Sequence, residues 1–146
     1  MRKEPAADIE KDWYRTPTIP RILGTMLPTE PSDEDILQGI RTWLELLAND
    51  EYPAAMKAVC FRSPETADSF KTRVEGFFGA NRSARVARPT EEILRRSEIH
   101  RAGIPADCRA VVGFFIPLLN GLGIWTTFLI RSQSGGAFFE FEILHL

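Results

Sequence analysis

The chain is poor in the residues that announce a cofactor or a covalent framework. Two cysteines, Cys60 and Cys108, and two histidines, His100 and His145, occur in 146 residues. There is no CxxC and no spaced set of zinc ligands, so no metal and no cofactor is expected. The thiols read as small, reduced, buried residues. Glycine-rich phosphate loops, HExxH and GxSxG are absent, which removes the standard phosphate, zinc-protease and hydrolase signatures. Surplus positive charge is absent too. The net charge of −2 argues against nucleic acid, whose binding needs a basic surface that releases counterions. Met1-Arg2-Lys3-Glu4 leads into no apolar run, so no secretory signal is expected and the cytoplasm is the expected location.

One long uncharged run does occur, Ala110–Ile130, enough for a helix to cross a bilayer. Gly113, Pro117, Asn120, Gly121 and Gly123 interrupt it, and the rest is β-branched and aromatic. The run therefore reads as strands, and no membrane partner is expected.

What is present is a β-rich C-terminal stretch, Asp107–Leu146. Cys108–Leu119, Ile124–Gln133 and Ala137–Leu146 are three strands, separated by Asn120-Gly121 and Ser134-Gly135-Gly136, which favour hairpin turns. A two-residue turn at Asn120-Gly121 sets Leu119 against Leu122, Pro117 against Ile124, Phe115 against Thr126, Gly113 against Phe128 and Val111 against Ile130. A two-residue turn at Ser134-Gly135 sets Ile130 against Phe139, Phe128 against Phe141, Thr126 against Ile143 and Ile124 against His145. Since side chains alternate, all of these share one inner face.

Ahead of the strands lie helices. Ser32 caps a run with acids in its first turn, and Ile36, Leu37, Ile40, Trp43, Leu44 and Leu47 form one apolar stripe. Pro53 opens a second, short helix. Ser63-Pro64 is expected to open a third that ends at Gly79. Residues 81–102 read as strand or helix, with strand favoured. Residues 1–31 hold five prolines, with Trp13, Tyr14, Ile22 and Leu23 among them, and form an N-terminal arm expected to lie against the body or a partner. The domain proper is residues 32–146.

This order, an amphipathic helix with shorter helices and then a closing antiparallel meander, resembles the nuclear-transport-factor-2-like (ketosteroid-isomerase-like) superfamily. The likeness rests on Ile36–Leu47, Glu51-Tyr52-Pro53-Ala54-Ala55 and Gly123–Leu146. It implies an α+β, cone-like fold, with N-terminal helices packed on a curved antiparallel sheet. Such folds often carry a pocket at the open end and a dimer on the outer sheet face.

Enzymes of this type place a base inside the cone, and the inner face derived above holds no carboxylate. His145 is its one titratable residue; His100, among arginines, and Asp107, before the meander, are the other catalytic candidates. The leading expectation is a non-catalytic binding or accessory protein, and the alternative is a small lyase or isomerase. An apolar ligand would meet Trp43, Gly113, Phe115, Thr126, Phe128 and Phe141. Gly113 marks a bend or room for a ligand. A homodimer is expected through Val112, Phe114, Ile116, Trp125, Leu129 and Leu144 on the outer face, where Arg131 and Glu140 lie diagonally within reach of each other. Arg82, Arg85, Arg88, Arg95, Arg96, Arg101 and Arg109 make a locally basic stretch suited to a phosphate or an acidic partner.

Overall fold

The computed structural model describes residues 27–133 and 135–145. The arm before Leu27, including Trp13, Tyr14, Ile22 and Leu23, lies outside the described residues.

Helix α1 (Asp33–Ala48) begins as its sequence dictates. Ser32 Oγ accepts from Asp35 N at 3.0 Å and Asp35 Oδ2 accepts from Ser32 N at 3.0 Å, a reciprocal cap that satisfies two otherwise orphaned donors. The apolar stripe is buried throughout at Ile36, Ile40, Trp43, Leu44 and Leu47. Helix α2 (Tyr52–Ala58) carries Pro53 in its first turn. A two-residue strand β1 (Cys60–Phe61) follows, then helix α3 (Ala67–Glu75). The cap of α3 is Thr66, accepting from Ser69 N at 3.0 Å, and its end is Gly76, rather than Ser63 and Gly79. The unclear stretch after it divides into helix α4 (Glu91–Arg95), capped by Thr90, and strand β2 (Glu98–His100). Thus the strand expected there occupies only its last part.

Strands β3 (Cys108–Pro117), β4 (Gly123–Gln133) and β5 (Gly136–His145) form the meander. The sheet order is β1-β5-β4-β3-β2, antiparallel except for the parallel β1–β5 pair, so the sheet is mixed. The fold is α+β, with the sheet open rather than closed into a barrel. Leu27 bridges Ala137 through two backbone hydrogen bonds of 3.0 Å.

The first hairpin corrects the expected register. Its loop has three residues, Leu119–Gly121, with Leu118 N donating to Leu122 O at 2.8 Å and Gly121 at φ 89°. Three-residue hairpin loops of this kind end in a left-handed residue, which glycine supplies. Ile116 therefore pairs with Ile124, Phe114 with Thr126 and Val112 with Phe128. A one-residue slip exchanges the two faces of a strand. Ala110, Val112, Phe114 and Ile116 enter the core, and Val111, Gly113 and Phe115 turn to the other face.

The second hairpin has the expected two-residue loop, with Gln133 against Gly136, Ile130 against Phe139 and Phe128 against Phe141. A bulge at Glu142 then shifts the ladder, so Leu144 meets Thr126 and His145 meets Trp125. Two residues on the bulged strand face one on its partner, which reverses the alternation beyond it. Ile143 and His145 consequently leave the inner face.

Trp43 is the centre of the core. Its ring centroid stands 4.9 Å from that of Phe128 and 6.1 Å from that of Phe114, both edge-on, and its Nε1 donates to Ala55 O at 3.0 Å. Aromatic pairs prefer this geometry because ring edges are positive and faces negative.

Candidate functional site

The inner side of the sheet is packed. Of the expected ligand contacts, Trp43, Thr126, Phe128 and Phe141 are buried against one another, α1 and neighbouring aromatics. Gly113 and Phe115 lie on the opposite face and do not join them. A ligand site made of these six residues is not assembled.

The expected dimer patch is likewise divided. Val112, Phe114, Ile116 and Leu144 are core residues, leaving Trp125 and Leu129 on the outer face. The large apolar side chains that share that face include Val111, Phe115, Phe138 and Ile143, the last 46% exposed. Phe115 and Trp125 meet edge-on at 4.9 Å, and the Arg96 guanidinium sits 5.2 Å from the Phe115 ring centre.

Nor do the catalytic candidates converge. His145 stands beside Trp125, its Nε2 3.1 Å from Thr127 Oγ1. Asp107 lies at the other end of β4, paired with Arg131 Nη1. Six residues of strand, about 20 Å, separate Trp125 from Arg131. His100 is exposed on the short strand β2, its Nε2 3.5 Å from Glu98 Oε1. General acid–base chemistry needs groups within hydrogen-bond reach of one reacting centre, and these three do not share one.

What the fold does assemble is a chain of charges around Glu140. This carboxylate is 4% exposed, on the sheet face away from α1. Its Oε1 accepts from Arg131 Nε at 2.5 Å, the diagonal pairing that strand alternation predicts, and its Oε2 accepts from Arg62 Nε at 2.5 Å. Arg131 also donates to Asp107, whose carbonyl oxygen accepts from Ser132 N at 3.0 Å and Ser132 Oγ at 3.1 Å. A buried carboxylate persists only when its lone pairs are met by charged donors, and here two guanidiniums meet them. Sequence reasoning missed Arg62, because β1 is too short to show any periodicity. Once Cys60 pairs with Glu140, the next turn of chain brings Arg62 to that carboxylate.

Beside this chain lies a groove of about 780 Å³. Val111, Leu129, Ile143 and Phe61 supply apolar wall, and Arg62 and Arg131 supply charge. At its far side Arg73 is held to Glu65 by two hydrogen bonds of 2.9 Å. The two thiols take no part as a pair. Cys60, Glu140, Leu129 and Val111 form one cross-strand row, so β1 and β3 stand three strand spacings apart, about 14 Å, beyond disulfide reach. Burial, and then the charge of Glu140, pushes the Cys60 thiol up to about 11; burial also raises Cys108. Among the described residues no three of His, Cys, Asp and Glu are grouped as metal ligands would be, and no helix is long and apolar enough to cross a membrane.

The arrangement offers apolar surface beside a buried carboxylate whose charge is met by two guanidiniums. Comparison with protein-family models, with curated proteins and with solved structures gives no match to this chain.

Proposed function

We propose that this chain is a non-catalytic binding protein of the nuclear-transport-factor-2-like kind, working through the outer face of its sheet. The order of helices and strands and the packing of α1 on one sheet face support the family reading. The observation that carries the binding reading is the groove of about 780 Å³ at the β1–β5 side of the sheet, where Val111, Leu129 and Ile143 of the outer face meet Phe61 and Phe141 of the core side, edged by Arg62 and Arg131. Arginine beside apolar side chains is the composition that binding hot spots favour. A packed interior, with Trp43 against Phe128, supports an external contact over an enclosed ligand.

The partner this reading favours is a second copy, because an isologous contact lets one self-complementary face bury itself. Sedimentation velocity of the full-length protein at tens of micromolar should give a dimer. Ile143→Glu and Trp125→Glu, each placing an unpaired charge on the face, should give folded monomers. A monomeric parent, or a dimer unaffected by both substitutions, removes the outer face as the interface.

A further inference from the structure

Of the seven arginines in the basic stretch, Arg101 alone holds a carboxylate among the described residues, and Arg82, Arg85, Arg88, Arg95, Arg96 and Arg109 hold none there. Arg101 pairs with Asp33, just as Arg41, Arg62, Arg73 and Arg131 elsewhere in the chain each hold a carboxylate. Arg82, Arg85 and Arg88 are exposed and form no ion pair among the described residues. These three run alongside the tip of the β3–β4 hairpin. Asn120 Nδ2 donates to Arg82 O at 2.8 Å, Leu119 N to Arg85 O at 2.8 Å, and Ala87 N to Pro117 O at 2.7 Å. At that tip Leu119 is 68% exposed, and Asn120 and Gly121 are exposed beside it.

An isolated exposed leucine is ordinary on a protein surface. A leucine held out on a hydrogen-bonded turn, beside three exposed arginines that form no ion pair among the described residues, is a different arrangement. We infer that this hairpin tip docks on an anionic lipid surface, with Leu119 entering the headgroup layer and Arg82, Arg85 and Arg88 facing lipid phosphates and carboxylates. Charge complementarity supplies the attraction, since each arginine near an anionic leaflet adds favourable energy within a Debye length. A leaflet is favoured over a peptide because the tip projects, whereas the groove at the β1–β5 side takes none of its wall from this tip. A soft interface can close around a projecting side chain. The expectation of no membrane partner rested on the lack of a spanning segment, and a peripheral contact needs none.

The role of two arginines in the fold must be separated from docking. Arg85 Nη2 reaches Ala48 O and Arg88 Nη2 reaches Asn49 Oδ1, each at 3.5 Å, at the C-terminal end of α1, where cations suit the helix dipole. Leu119→Ser disturbs neither contact. Full-length protein is sedimented with vesicles of phosphatidylcholine, alone or with ~30% phosphatidylserine, a composition that gives a negative surface potential. Binding should appear on the anionic vesicles and fall at least tenfold between about 50 and 500 mM salt. Leu119→Ser and the triple change Arg82→Gln, Arg85→Gln, Arg88→Gln should each lower it roughly tenfold or more, with the far-ultraviolet dichroism unchanged. Equal binding to neutral vesicles, or full binding by Leu119→Ser, overturns the assignment. Absence of vesicle binding together with salt-sensitive binding of polyglutamate would assign the tip to an acidic protein segment, and overturns it as well.

Discussion

The Cζ2 atom of Trp125 lies 2.3 Å from where a β-carbon on residue 113 would stand, so the indole occupies the space that Gly113 leaves open. Trp125 pairs with Phe115 and reaches Gly113 diagonally across β3 and β4. The glycine anticipated as a bend or a ligand gap is the seat of a tryptophan. Gly113→Ala should cost about 1–3 kcal/mol in urea unfolding, the usual penalty for overpacking. The same change in a Trp125→Ala background should cost much less. Equal penalties in both backgrounds would dissociate the two residues.

Phe128 is fully buried and touches the rings of Trp43, Phe114, Phe139 and Phe141. Phe128→Ala should lower stability by about 3–5 kcal/mol, the range for deleting a buried aromatic. A loss below about 1 kcal/mol by denaturant titration is ordinary for any substitution and would deny Phe128 its central place.

Glu140 joins two arginines of unequal exposure: the Arg131 side chain is 17% exposed and that of Arg62 is 64%. Solvent screens the Arg62 pair and weakens it. A double-mutant cycle of Glu140→Gln with Arg131→Gln should therefore give a coupling of about 1–3 kcal/mol, within the range for residues in one hydrogen-bonded network. The cycle with Arg62→Gln should give under about 1 kcal/mol, as exposed pairs do. The reverse order would show that Arg62 is the principal partner.

The Cys60 thiol is raised from its ordinary 9.0 to about 11 by burial and by Glu140. The unfolded chain then loses its Cys60 proton first as pH rises, so the native state binds more protons between those values. Its contribution to stability is whole below pH 9 and is lost as pH rises toward 11. Alkylation of Cys60 by iodoacetamide in the Cys108→Ala protein should titrate near 11 when folded and near 9 in denaturant. A folded midpoint near 9 would mean that the thiolate is not disfavoured by its site.

Much of the fold was legible because its signals are local. The cap at Ser32, the stripe from Ile36 to Leu47 and the tight reversal that pairs Gln133 with Gly136 depend on neighbours a few residues away, and each is present. In β4 a single apolar set, Ile124, Phe128 and Ile130, separates itself from Arg131 and Trp125, and its inward facing is as the alternation indicates. The pairing of Arg131 with Glu140 follows from the same alternation.

Which face of β3 is buried was settled by contacts distant in the chain. Val111 and Val112, and Phe114 and Phe115, are apolar on both faces, so hydrophobicity does not choose between registers one residue apart. Packing against Trp43, together with the bonds of Pro117 and Leu119 to Ala87 and Arg85, makes the choice. The bulge at Glu142 is hidden for the same reason, since Ile143 and Leu144 suit the interior equally. Strand β1 is invisible because two residues carry no period; it exists through its pairing with β5 in the assembled sheet. Local preference chose the elements other than β1, while long-range packing chose which side chains face the core and which face water.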